Sequence, residues 1–145
     1  DNISPRTFYG YTKWIGEKIF ENFNLDYSIN YCIGRIFSFY SNAQSEEFLY
    51  SSIRKKLKKN LKKKNIFIFN ANNILDIQKA ESVVKIIIKL FEKKAHGTFN
   101  IGTGKGIEIK SFVKKLTKKK ITILTNTKKK TIVVANIKKL NSVIL

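Results

Sequence analysis

The sequence predicts an α/β fold, and three observations predict it. Apolar residues recur at helical spacing in several separate segments, short β-branched or aromatic runs lie between those segments, and no internal repeat or Pro/Gly/Ser-rich linker divides the chain. In order, Pro5 precedes a helix predicted over residues 7–22, with Trp14, Ile15, Ile19, Phe20 and Phe23 as its apolar stripe. Asn24 and Asp26 are expected to break it. Tyr27, Ile29, Tyr31 and Ile33 then alternate as a strand should, with Gly34 ending the strand and a loop over 35–45. Leu49, Ile53 and Leu57 mark a lysine-rich helix. Residues 66–69 read as a short strand and 74–77 as an extended piece. A helix over 81–93 has Val84, Ile87, Ile88 and Phe91 as its expected core face. Residues 98–101 read as a strand, 102–106 as a tight loop, 108–118 as a helix (Ile109, Phe112, Val113, Leu116), and 121–124 and 132–134 as short strands.

The chain of 145 residues is one domain's worth of material, and 43% hydrophobic with 12% aromatic content argues against disorder. No apolar run is long enough to span a membrane, and no signal-peptide pattern is present. The single cysteine, Cys32, permits no internal disulfide and is expected to be a small core residue. No Cys/His cluster has metal-ligand spacing. A cytoplasmic, soluble protein without a structural metal is expected. The formal charge of +19 comes almost wholly from lysine; Arg6, Arg35 and Arg54 are the only arginines. A sequence-reading nucleic-acid binder would use arginine forks, so the lysine runs read as solvated faces, with no specific nucleic-acid partner and no membrane. Sequence-blind attraction to polyanions would still follow from the field.

Tyr9 and Lys13 stand four positions apart on the first predicted helix, which stacks phenol and ammonium on one face. A free tyrosine titrates near pH ~10, so an acid/base role at neutral pH needs roughly 4 kcal/mol of preferential phenolate stabilisation. One cation at ~4 Å and an effective dielectric of ~20 contributes on that order. A phenol so placed can exchange a proton with a substrate hydroxyl or carbonyl while hydride moves elsewhere.

Beyond that pair, Ser4-Pro5 and Tyr9-Gly10-Tyr11-Thr12-Lys13-Trp14-Ile15-Gly16-Glu17 are followed by Arg35-Ile36-Phe37-Ser38-Phe39-Tyr40-Ser41. Asp76, Glu81 and Val83 then occur within 73–83, next Gly97-Thr98-Phe99-Asn100-Ile101-Gly102-Thr103-Gly104, and last Ala135-Asn136-Ile137-Lys138-Lys139-Leu140. In order and spacing these segments resemble the extended short-chain dehydrogenase/reductase family, the NAD-dependent epimerases and dehydratases that act on nucleotide sugars. The resemblance covers essentially the whole chain.

It implies the C-terminal portion of a Rossmann-like parallel-sheet fold plus the small substrate-binding part, with the N-terminal βαβ units missing. Residues 1–42 would end the dinucleotide-binding domain. Residues 43–145 would be mainly the substrate-binding part, with strands returning to the main sheet. It implies NAD or NADP as cofactor, a nucleotide-sugar substrate and a homodimer for the full-length form. Tyr9 would be the general acid/base. Lys13 would hold the nicotinamide ribose and acidify Tyr9. Ile36 and Phe37 would border the nicotinamide, and Ser38 would face the substrate.

The chain departs from the family pattern at Leu75, where many members place an arginine near the substrate diphosphate, and at Ser82, Ser38 and Ser41. Lys128 to Lys130 fall near another phosphate-binding arginine of the relatives. No Gly-x-x-Gly-x-x-Gly follows a strand, so the chain alone is expected neither to hold a dinucleotide well nor to turn over. Gly102-x-Gly104-x-Gly106 fails the dinucleotide and P-loop spacings and reads as a tight turn; His96 reads as a cation at a helix end. Arg35 is open between a structural ion pair and a ligand role. Two other readings stand beside the enzyme: a lysine-rich polyanion or nucleic-acid binding module, and a non-catalytic remnant of the family.

Overall fold

The computed structural model describes residues 4–28, 30–59, 64–126 and 130–145. Its elements in chain order are α1 (Phe8–Tyr27), β1 (Cys32–Ile36), β2 (Phe39–Tyr40), α2 (Leu49–Lys59), β3 (Asn65–Phe67), β4 (Ile74–Leu75) and β5 (Gln78–Lys79). Then follow α3 (Ala80–Glu92), β6 (Gly97–Ile101), β7 (Ile107–Glu108), α4 (Ile109–Lys115), β8 (Thr122–Leu124), β9 (Ile132–Val133) and α5 (Lys138–Ile144). The expected α/β class is present, built largely of parallel pairs: β1 with β6, β2 with β5, β3 with β8 and β4 with β9, with β7 antiparallel to β4.

The β1–β6 pair aligns Gly34 with Phe99, Arg35 with Asn100 and Ile36 with Ile101. Partnered residues of a parallel pair point to one side, so Cys32, Gly34 and Ile36 share a face with Phe99 and Ile101. On that face Phe99 and Ile101 pack with Val83 and Leu90 of α3 and Leu140 of α5. Arg35 points to the other face, where it meets Glu17 of α1. Helices α3 and α5 thus cover one face of the pair, and α1 meets the other through Glu17. A second apolar cluster joins Ile53 of α2, Ile66 and Ile68, Ala71, and Ile109, Phe112 and Val113 of α4.

Several local expectations are corrected. Helix α1 does not break at Asn24 but runs to Tyr27, where Ser28 turns left-handed with φ 53°. The lone asparagine and aspartate cost too little in a long helix to stop it. The strand after it begins at Cys32 and continues through Gly34 to Ile36; of its expected residues, Ile29 lies outside the described set. Cys32 lies in that strand but is exposed, and partial burial still pushes its thiol up, with Lys139 pulling the other way.

In α3 the expected core face is the wrong one. Val83, Ile86 and Leu90 pack inward, while Val84, Ile87, Ile88 and Phe91 are exposed. The helix carries two apolar stripes at helical spacing, and periodicity alone cannot say which meets the sheet. No residue of α1 is buried either; Ile15, Ile19, Phe20 and Phe23 are all exposed and Trp14 is half-buried. Helix α5, not anticipated, seats Leu140 in the core at 2% exposure.

Candidate functional site

Thr7 caps α1: its hydroxyl oxygen accepts the Gly10 amide at 3.0 Å, which fixes the first turn on which Tyr9 stands. One turn later the Lys13 ammonium lies over the Tyr9 ring, 5.3 Å from its centroid, so both groups occupy one side of the helix. Tyr9 is 69% exposed. At that exposure water screens the pair, and a cation at ~4 Å is then worth about 1 kcal/mol rather than the ~4 kcal/mol of a drier site. The two groups share one side of the helix, but in open water rather than in dry surroundings.

A fork tethers α1 to the sheet. Arg35 donates from Nε to Glu17 Oε1 at 2.9 Å and from Nη2 to Glu17 Oε2. Those hydrogen bonds push the guanidinium above its already high ordinary range, opposed in part by burial. Of the two readings left open for Arg35, the structural ion pair is present, with Glu17 as its partner. Glu17 had no role assigned from sequence, although it lies one helical turn beyond Lys13 on the same segment.

Ile36, Phe37 and Ser38 come together at the end of β1. With Tyr40, Leu49 and Phe112 they line a cavity of about 270 Å³. Their backbone is clamped: the Phe37 amide donates to the Ile101 carbonyl at 2.9 Å, and the Gln78 amide donates to the Ser38 carbonyl at 3.0 Å. The buried Gln78 side chain donates to the Ile101 carbonyl at 3.0 Å, tying β5 to the end of β6. Tyr9 and Lys13 do not line this cavity. Gln78 was not singled out from sequence, and no pattern around it signals a buried amide.

Asp76 is the other buried polar centre, 1% exposed. Its carboxylate accepts the amides of Thr103 at 3.0 Å, Gly104 at 2.9 Å and Ala135 at 3.3 Å, and the Thr103 hydroxyl at 2.6 Å. The Thr103 and Gly104 amides of the turn are therefore spent on Asp76 and the Lys105 amide on the Thr103 hydroxyl, so the turn is a structural latch. A Cβ at Gly102 would lie 2.5 Å from Ala135 Cβ and 2.7 Å from Asp76 Oδ2, and Gly104 has φ +70°. Gly102→Ala is expected to destabilise the chain by about 2 kcal/mol or more, read as a lowered urea midpoint at unchanged slope.

Leu75, the departure from the family arginine, sits in β4 and packs against the α2–α4 cluster. Ser38 and Ser82 are exposed and Ser41 is half-buried. Lys130 is exposed, and Lys128 and Lys129 lie outside the described residues. His96 is exposed and meets the Tyr31 ring edge-on at 4.9 Å. Among the described residues no group of three or more His, Cys, Asp or Glu is placed to hold a metal ion, and no helix is long and apolar enough to cross a membrane.

The match to a family model places the chain among the NAD-dependent nucleotide-sugar epimerases and dehydratases. Residues 1–144 match the family model described as GDP-mannose 4,6 dehydratase, and the chain belongs to that family. Among solved structures it is similar to RMD from Pseudomonas aeruginosa complexed with NADPH, at 14% identity and a TM-score of 0.83, covering 99% of this chain and 51% of that one. It is also similar to UDP-glucuronic acid 4-epimerase from Bacillus cereus in complex with UDP-glucuronic acid and NAD, at 21% identity and a TM-score of 0.82, covering 99% and 48%. A third is dTDP-glucose 4,6-dehydratase from Bacillus anthracis in complex with NAD, at 19% identity and 0.78, covering 98% and 47%. The chain thus spans about half the length of these relatives. No match was found among curated proteins.

Proposed function

We propose that the chain is the C-terminal portion of an NAD(P)-dependent enzyme acting on a nucleotide-activated sugar in the cytoplasm. In this reading residues 1–42 close the dinucleotide-binding domain and 43–145 form mainly the substrate part. The observation that carries it is the Lys13 ammonium held over the Tyr9 ring on the capped first turns of α1.

Tyr9 exchanges a proton with a sugar hydroxyl or carbonyl, its phenol oxygen being the general acid/base. Lys13 stabilises the phenolate that forms, because its attraction to the ring grows once that ring carries a full negative charge. The Glu17–Arg35 fork sets the helix against β1, whose end carries Ile36 and Phe37 to border a nicotinamide and Ser38 to face the sugar. When bound, the dinucleotide supplies the hydride acceptor and donor.

These residues fit the nicotinamide end alone; the sequence has no glycine-rich turn for the pyrophosphate. Residues outside this chain complete the site, and covering Tyr9 would remove the water that now screens it. The test is a polypeptide joining this chain to a dinucleotide-binding half, incubated with UDP-, GDP- and dTDP-hexoses. Reduction of bound nicotinamide, seen as near-ultraviolet absorbance, or conversion of one sugar supports the proposal. Tight dinucleotide binding without conversion or reduction of any of them would count against it.

A further inference from the structure

The net charge is not spread over the molecule. Residues 48–75 carry eight Lys/Arg and no acid, and residues 109–145 carry eleven lysines and no acid. Those nineteen charges equal the whole net charge of +19, and the remainder of the chain is balanced at ten of each sign. The fold brings the two acid-free stretches together. Parallel pairing of β3 with β8 joins them, and Ile53, Ile66, Ile68, Phe112 and Val113 of both enter one core. With the apolar sides used there, the described lysines of α2, of α4 and of residues 118–120 lie on the outer side of that lobe, whereas Lys138 and Lys139 belong to α5, which packs on the other cluster.

Two features give that field a shape. First, Lys64, Lys114, Lys119 and Lys120 line a cleft of about 600 Å³ at the start of β3 and β8, with no acidic residue in its wall. Second, the outer face of the β3–β8 pair presents Asn65, Phe67, Thr122 and Leu124, all exposed, while Ile66 and Ile68 point inward. Phe67 and Phe69 are 43% and 62% exposed, their rings perpendicular at 5.0 Å, and the Lys56 ammonium lies over the Phe69 ring at 5.8 Å. Partly exposed aromatic rings beside a lysine cleft, about 10 Å apart along the strand, match what a single strand offers: bases that stack and phosphates that need cations.

We infer that the β3–β8 face is a sequence-blind docking surface for single-stranded nucleic acid, with bases on Phe67 and Phe69 and the backbone phosphates in the Lys64–Lys114–Lys120 cleft. Base-edge reading is not part of it. Arg54, the only arginine in these two stretches, donates to Asn42 Oδ1, and the rest are lysines, which act as point charges. A membrane fits less well. The lysine-rich helix α2 packs its apolar residues Leu49, Ile53 and Leu57 into the core, and so has no greasy side to lay on lipid. The inference uses neither Tyr9 nor the cavity at Ser38, and stands or falls apart from the enzyme reading.

The test uses this chain, or any longer polypeptide containing it, with a labelled oligothymidylate followed by fluorescence anisotropy at several salt concentrations. Affinity should fall with salt at a slope of about −0.7 per phosphate neutralised. The triple variant Lys64→Gln, Lys114→Gln, Lys120→Gln should bind tenfold or more weakly at about 50 mM salt, with a slope shallower by about 2. Phe67→Leu with Phe69→Leu keeps apolar bulk but removes the π-faces. It should weaken oligothymidylate about fivefold or more, leave the slope unchanged, and leave inorganic polyphosphate binding intact. Circular dichroism melts of each variant confirm that the fold is retained. Four results would each overturn the proposal: no oligothymidylate binding at low salt, binding indifferent to the Phe substitutions, equal losses for polyphosphate, or preference for phosphatidylglycerol vesicles.

Discussion

Tyr9→Phe is expected to lower turnover by about 10²–10⁴ in a polypeptide that joins this chain to a dinucleotide-binding half, while dinucleotide binding stays nearly unchanged. The substitution removes one oxygen and its proton and leaves the ring. The Lys13 contact over that ring survives, as do the Thr7 cap and the Glu17–Arg35 tether, so α1 keeps its place. Only the proton-exchanging atom is lost. Tyr11→Phe is the matched control, because Tyr11 is the other exposed tyrosine in the opening turns of the same helix. Its turnover should stay within about twofold, as expected of a surface change. The measurements are kcat for each variant and dinucleotide affinity by fluorescence quenching. Near-normal kcat for Tyr9→Phe would remove Tyr9 from the mechanism, and an equal fall in Tyr11→Phe would point to helix damage instead of lost chemistry.

Asp76→Ala should be the most destabilising single substitution away from that helix, by about 3 kcal/mol or more, because it strands several donors in a site closed to water. The carboxylate collects amides from two separate segments, Thr103 and Gly104 on one side and Ala135 on the other, besides the Thr103 hydroxyl. Removing it also leaves a void beside Gly102, whose Cα hydrogens are the only groups small enough to fit there. For a chain of this length the loss corresponds to a melting temperature lower by roughly 10 °C. Thr103→Val removes a single donor and should cost about 1 kcal/mol, which separates loss of the hub from loss of one bond. Asp76→Ala melting with the unmodified chain would show that water can replace the carboxylate and that the latch holds nothing.

Some of this was legible in the residues alone. Helix α2 and the helix carrying Phe112 and Val113 could be read because each has one apolar stripe, which leaves a single way to bury it. Strand β6 was legible because glycine and a helix end bracket it. The Tyr9–Lys13 pair was legible because four residues on a helix is a fixed geometry, set before any tertiary contact forms.

The remainder needed the fold. Helix α3 has apolar stripes on two sides, and only the position of the β1–β6 sheet selects Val83, Ile86 and Leu90 over Val84, Ile87, Ile88 and Phe91. Asp76 and Thr103 are far apart in the chain, as are Gln78 and Ile101, so no local pattern announces their bonds. The same holds for the charge. Sequence alone determined that the unbalanced positive charge falls in two acid-free stretches, because composition is written residue by residue. That residues of both stretches share one lobe was decided by β3 pairing with β8, a contact across more than fifty residues that no local periodicity encodes, while α5 carries Lys138 and Lys139 to the other cluster.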